Sequence, residues 1–188
     1  MRMVKRMNFV EPIRNPDMIV AIERHLKEKN ERNYILFLIG VYCGLRVSDI
    51  LSLRVKNIVG NTIRLREQKT GKQRTIQLHR NLKGPLHDYI KDKPAEEFII
   101  KSRQGFNKPI TRDMAYKILR ELTEYFDIDS IGTHSMRKTF GYHYYKGTKD
   151  VATLQKIFNH SSEAITLKYI GITQDSIDEA MTNFTFVY

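Results

Sequence analysis

The sequence contains a single cysteine, Cys43, and it lies inside an apolar run. No intrachain disulfide is available, which fits a reducing cytoplasm. Long apolar stretches are also missing. The longest, YILFLIGVYCGL from Tyr34 to Leu45, falls short of the ~18–20 residues a membrane span needs. The N-terminus, MRMVKRMNFVEP, is basic with no apolar run behind it, so it lacks the form of a secretory signal. No Cys/His set has zinc-ligand spacing, and no glycine-rich loop ends in Gly-Lys-Ser or Gly-Lys-Thr, which argues against structural zinc and a P-loop. Repeats, low-complexity segments and dividing linkers are absent too. At 188 residues the expectation is one domain.

Acids are scarce: 21 Asp and Glu stand against 32 Lys and Arg, a formal net charge of +11. Such an excess opposes compaction by self-repulsion and points to a polyanionic partner, nucleic acid before an anionic membrane or a merely basic surface. The 41% apolar content is enough for a real core.

Asn15-Pro16-Asp17 reads as a helix start, with Asn as cap and Pro at the first helical position. Ile19, Ile22 and Leu26 then share a face, and the polar EKNERN closes the helix. From Tyr34 to Cys43 the pattern is apolar nearly all round, a helix buried in the core, and Gly44 ends it in left-handed geometry. Ser48 is placed to cap a short helix through Leu53. The period then changes to two. Ile63 and Leu65 alternate with Thr62, Arg64 and Arg66, and Ile76 and Leu78 repeat the alternation, with Lys69-Thr70-Gly71-Lys72 as the turn of a hairpin over about 62–78. Between Asn61 and Lys83 there are seven Lys or Arg and one acid, Glu67, so the hairpin is a cationic ribbon. Glu97 to Lys101 is the candidate third strand. Helices resume after residue 110. Thr111 caps one with Met114, Ile118, Leu122 and Phe126 at spacing four, Thr133 one through Tyr145, Thr148 with Asp150 one to Phe158, and Ser161 one to about Tyr169. TQDSIDEAMTNF forms a last amphipathic helix before FTFVY. The fold class is α+β, mostly helical with a small antiparallel sheet.

Several residues stand out, each with an ordinary reading beside a functional one. Arg46, just after the buried helix in GLRVSD, is rigidly placed to fork two phosphate oxygens, or it ion-pairs with Asp49. Lys69 at the hairpin tip can reach into a groove or give a proton to a leaving oxygen, a role open equally to Lys72, or both are solvated. His134 and Arg137 share a face at a helix N-terminus, where an anion is favoured, or they are a first-turn filler and a solvated charge. His160 and Tyr169 read as a capping residue and one tyrosine among ten.

The order GLRVSD, KTGK in a hairpin, HSMR, and NHSS with Tyr169 nine residues after His160 resembles the catalytic domain of the tyrosine recombinases, the phage-integrase family, over nearly the whole chain from about Asn15. The resemblance implies that Arg46 and Arg137 clamp a scissile phosphate of double-stranded DNA. It implies that His134 assists by hydrogen bonding and acid–base work, and that His160 bonds a non-bridging oxygen. Lys69 would be the general acid for the 5′-hydroxyl, and Tyr169 would attack phosphorus to leave a 3′-phosphotyrosine. The reaction implied is site-specific cleavage and rejoining with no metal or nucleotide cofactor. Arg64, Arg66, Lys72, Arg74 and Lys138 are the expected DNA-binding cations. A non-catalytic or degenerate DNA-binding module of the same fold is the alternative, explaining the charge but not the Arg, His, Lys and Tyr series.

Two family positions differ: Asp49 stands for the usual Glu, and Asn159 for the usual Gly, which Asn tolerates because it accepts left-handed geometry. Most members carry an N-terminal clamp domain. The expectation here is a single catalytic domain over 1–188, with a core of about 15–170, a C-terminal helix and tail over 173–188, and no core-binding domain. The last helix either folds back on its own core or docks into a neighbouring copy, giving self-association on DNA. A straight helix from Ser161 to Tyr169 would hold its ends ~12 Å apart. Tyr169 is therefore expected away from the Arg46/Arg137 cage when DNA is absent, with the segment after Ser161 as the movable part.

Overall fold

The computed structural model describes residues 10–128 and 131–183. Residues 1–9 of the basic N-terminal segment and the whole of FTFVY lie outside the described residues. Asn15 opens α1 (Pro16–Lys29) as its sequence suggests, its side chain accepting from the Asp17 N–H at 2.9 Å. Ile22 and Leu26 are its buried face. Asn30 then serves two helices. Its N–H donates to the Leu26 carbonyl at 2.8 Å, closing α1, and its side chain accepts from the Asn33 N–H at 3.1 Å, opening α2 (Glu31–Cys43). EKNERN therefore joins the two helices, its second half forming the first turn of α2, where one capping Asn permits an immediate restart.

α2 is the axle of the larger core. Tyr34 through Val41 and Cys43 are buried around its circumference, with α1, α6 (Ser135–Thr148) and α4 (Arg80–Ile90) packed about it. Gly44 ends it at φ 59°, donating to the Gly40 carbonyl. α3 (Val47–Ser52) follows with Arg46 at its N-cap and no side-chain cap; Ser48 lies inside the first turn. The hairpin is β2 (Thr62–Arg66) against β3 (Gln73–Gln77), antiparallel with Ile63 opposite Ile76. Ile63 and Leu65 turn inward while Arg64 and Arg66 face solvent.

The third strand is β1 (Ile58–Val59), on the outer side of β2, and the segment Glu97–Lys101 is not part of the sheet. Phe98 bridges to Arg54 and Lys101 to Pro109, so its two ends pair with different partners. Ile99 and Ile100 are both fully buried in succession, which a half-buried strand does not allow. α4 went unrecognised in the sequence because Gly84 and Pro85 interrupt it. It stands on Leu82 and Leu86, buried one turn apart, and on the His79 ring, which accepts from the Asn81 N–H.

Thr111 caps α5 (Arg112–Phe126) as expected, but the buried stripe is Ala115, Ile118, Leu119 and Leu122, leaving Met114 exposed. α6 starts two residues after Thr133, without a side-chain cap. Asp150 caps α7 (Val151–Phe158), assisted by Thr148, whose hydroxyl accepts from the Asp150 N–H. Ser162, not Ser161, caps α8 (Glu163–Tyr169). α9 (Ile172–Asn183) returns toward residues 11–14, where Arg14 donates to Asp175 at 3.0 Å. Among the described residues no helix is long and apolar enough to cross a membrane.

A second, smaller core of Tyr142, Leu154, Phe158, Ile170 and Ile172 joins α6 to α7, α8 and the start of α9. It closes over Gly141, where a Cβ would lie 2.6 Å from Ile170 Cγ2 and 2.7 Å from the Phe158 ring. The Gly141→Ala chain is expected to lose about 1–3 kcal/mol of stability through overpacking; an unshifted urea midpoint would contradict this close approach.

Candidate active site

Arg137, in the first turn of α6, is 2% exposed. One terminal nitrogen, Nη1, donates to the Gly44 carbonyl and the other, Nη2, to the Phe158 carbonyl at 3.1 Å. Its carbon lies 4.3 Å from the centre of the Phe158 ring. The guanidinium thus ties the end of α2 to the end of α7. Burial pulls it down to about 10, opposed by Tyr169 and helped by Arg46, and at neutral pH it is still a cation.

Arg46 is held by two carboxylates. Its Nη1 lies 3.4 Å from Glu67 Oε2 and 3.9 Å from Asp49 Oδ2. Glu67 is 3% exposed and also accepts from Thr70 Oγ1 at 2.6 Å and Arg74 Nη1 at 2.7 Å. Burial alone would raise its carboxyl pKa, but these hydrogen bonds and the charges of Arg74 and Arg46 outweigh it and hold the group below the usual value. Asp49 Oδ1 accepts from the Gln68 N–H at 2.8 Å, pinning the start of the hairpin turn to α3. Glu67 is a site residue that stands outside the motif series. Its signal was being the lone acid in the cationic ribbon.

Lys69 lines a cleft of about 420 Å³ together with Arg46, Gln68, Arg112, Thr133 and His134. Arg112 was not anticipated either. Lys72 donates to the Asn159 side chain at 3.1 Å, tying the hairpin to the end of α7. Asn159 adopts φ 54°, the geometry for which Gly is usual. Arg64 and Arg66 are exposed on β2. Arg74 is turned into Glu67, and Lys138 is buried with its ammonium on the Val10 carbonyl at 2.7 Å, which differs from the solvent-facing placement a DNA-binding cation implies.

Tyr169 is inside the cage, contrary to the expectation. Its hydroxyl lies 3.5 Å from His134 Nδ1 and is hydrogen-bonded by Arg137. Its ring meets those of His160 and Phe158 edge to face, with centroids 5.1 and 5.5 Å apart. The bend comes at Ser161–Ser162, before α8 begins, so the helix folds back over His160 instead of running straight away from it. The Thr166 hydroxyl, one turn into α8, meets His160 Nδ1 at 3.1 Å and holds the fold-back. Burial raises the Tyr169 pKa; the charges of Arg137 and Arg46 and the Arg137 hydrogen bond lower it by less. The phenol is therefore protonated at neutral pH.

The Phage integrase family model matches residues 14–175, and the chain belongs to that family. It is 44% identical over 179 residues to the probable integrase/recombinase YoeC of Bacillus subtilis (strain 168), covering 95% of this chain and 98% of YoeC. It is 28% identical over 192 residues to a tyrosine recombinase of Pseudothermotoga lettingae, covering 93% of this chain and 66% of that protein. The crystal structure of XerA recombinase shares the fold with a TM-score of 0.75 at 18% identity, covering 96% of this chain and 66% of that one. XerH bound to a palindromic difH substrate, a post-cleavage complex, shares it with a TM-score of 0.71 at 17% identity, covering 94% and 54%. The chain thus spans slightly under two thirds of XerA and about half of XerH. This is the catalytic domain of a tyrosine-type site-specific recombinase.

His134 and His160 are both held below the ordinary imidazole value of 6.5, first by burial and then by neighbouring cations, Lys138, Arg137 and Arg46 for His134 and Arg137 and Arg46 for His160. The unfolded chain therefore binds protons more readily than the folded site. Stability from this source is full above pH 6.5 and is lost as pH falls through the lower folded values. Urea unfolding between neutral and mildly acid pH should show a shallower loss in the His134→Asn/His160→Asn chain than in the parent. Parallel pH profiles would contradict the shifts.

Proposed function

We propose that the cleft takes the scissile phosphodiester of duplex DNA and that Tyr169 cleaves it. The observation that carries this reading is the position of the Tyr169 hydroxyl, beside His134 Nδ1 and within hydrogen bonding of Arg137, among the cations of the site. A guanidinium has five N–H donors. Arg137 uses one on Gly44 and one on Phe158, which leaves donors for a phosphate oxygen. Arg46, steadied by Glu67, takes a second non-bridging oxygen, and His160 hydrogen-bonds the phosphate from the far wall.

The Tyr169 oxygen attacks phosphorus in line, and the P–O5′ bond breaks as the P–O(Tyr) bond forms. The phenolic proton passes to the neutral imidazole of His134, and Lys69 gives a proton to the departing 5′-oxygen. Charge accumulating on the equatorial oxygens is met by preorganised guanidiniums and imidazoles. A bound phosphate partly cancels the cations that favour phenolate, so a nearby base is needed when substrate is in place. The 3′-phosphotyrosine ester conserves the bond, and a 5′-hydroxyl from another strand reverses the step without ATP. Arg64, Arg66 and Lys72 flank the cleft on the hairpin and contact backbone phosphates. Copies self-associate on the DNA through α9, and the protein acts in the cytoplasm.

A nicked suicide duplex should trap an SDS-resistant adduct with the parent chain, with or without EDTA, and none with Tyr169→Phe; an adduct surviving in that variant would move the nucleophile elsewhere. DNA binding with no adduct in the parent would favour a module that no longer cuts. For Lys69→Ala, cleavage should slow by about 10²-fold or more. It should recover on DNA with a bridging 5′-sulfur at the scissile position, because a thiolate leaves without a proton. No recovery would assign the leaving-group acid to another residue.

A further inference from the structure

Phe106 is 97% exposed, at the tip of the loop between Ser102 and Lys108. Single exposed apolar residues are ordinary, but this one is held out by a built loop. The Ser102 N–H donates to the Lys108 carbonyl at 2.7 Å, closing the base. The Asn107 side chain accepts from the Phe98 N–H at 3.1 Å and donates to the Glu96 carbonyl at 2.9 Å. Gly105 at φ 76° and Asn107 at φ 42° flank the ring, so two residues in left-handed geometry turn it outward. Burying a phenylalanine is worth about 1.5–3 kcal/mol, and here that gain is left unrealised within the chain.

The surroundings select the partner. Residues 102–108 contain Arg103 and Lys108 and no acid; both are exposed. The loop borders the last of three neighbouring hollows that share lining residues, the first of them the candidate cleft. The hollow holding Lys69 and His134 shares Ser48, Gln68 and Arg112 with a second hollow that runs to Pro109 and Ile110. Ile110 also lines a third, bounded by Arg103 and Gln104 of the loop. Duplex seated over the cleft and continuing past these hollows meets an aromatic ring between two cations.

We propose that Phe106 is an apolar contact to DNA flanking the cleavage site, its ring laid against base and sugar edges in a groove while Arg103 and Lys108 hold neighbouring phosphates. The proposal rests on the reading of the cleft as a DNA site. Aromatic wedges and stacking platforms serve DNA-binding proteins in this way, each aromatic contact being worth ~1–3 kcal/mol. An apolar contact and a phosphate contact differ in salt dependence, because only the second releases counterions.

The test is equilibrium binding of the full chain to a short mixed-sequence duplex across a range of salt. Phe106→Ala should weaken binding by about 5-fold or more while the slope of log K against log salt stays that of the parent. Arg103→Ala should lower that slope by about one. The chain has no tryptophan, so Phe106→Trp supplies a single indole whose emission should change on adding duplex. Parent-like affinity in Phe106→Ala, a reduced slope in that variant, or a silent Phe106→Trp would each overturn the contact while leaving the DNA reading intact. Failure of the parent to bind any duplex would instead overturn the DNA reading, and this proposal with it.

Discussion

The buried guanidinium of Arg137 is the interaction on which the rest of the site depends. It reaches from α6 to two carbonyls, Gly44 at the end of α2 and Phe158 at the end of α7, and it lies over the Phe158 ring. Both carbonyls belong to helix ends, where the last C=O groups lack intrahelical partners. A cation placed there meets two negative helix termini at once and can be buried without a carboxylate partner. The same contact fixes how the two hydrophobic cores meet, since α2 belongs to the larger and Phe158 to the smaller. Gly44 is required at this junction. It adopts φ 59°, and a Cβ there would run into the Phe140 ring.

Concentrating cations is costly, and the chain manages the repulsion locally. Glu67 and Asp49 are the buried carboxylates beside Arg46, and Glu67 alone engages Arg46, Arg74 and Thr70. These bonds fix the arginine at the cleft and shape the turn that carries Lys69. Removing one partner from such a set leaves a buried charge uncompensated, so the group behaves as a unit. The overall charge of +11 brings the molecule to a polyanion; the two acids decide which cations face it.

Features fixed by neighbours in the chain could be read from the sequence. The Asn15-Pro16 start of α1, the αL end at Gly44 and the alternation in β2 all rest on local chemistry. The motif series supplied Arg46, Lys69, His134, Arg137, His160 and Tyr169, and the fold brings them to one region. Features decided across the molecule could not be read. α4 is helical despite Gly84 and Pro85 because Leu82 and Leu86 are buried together. Glu97–Lys101 has strand-like composition but two unrelated partners. Lys138 follows Arg137 in sequence, yet one step around the helix turns it inward to Val10. The position of Tyr169 depended on a bend at two serines, and nothing local to them foretells its angle.

That bend decides which copy supplies the proposed nucleophile. The fold-back of α8 over His160 supplies Tyr169 to the cage of its own chain, so a single copy possesses every group the proposed chemistry requires. The resting hydroxyl is a protonated phenol, and burial raises its pKa by more than the arginines around it lower it. On this view strand exchange waits on the removal of one phenolic proton, which the base beside it, and not the gripped phosphate, has to take.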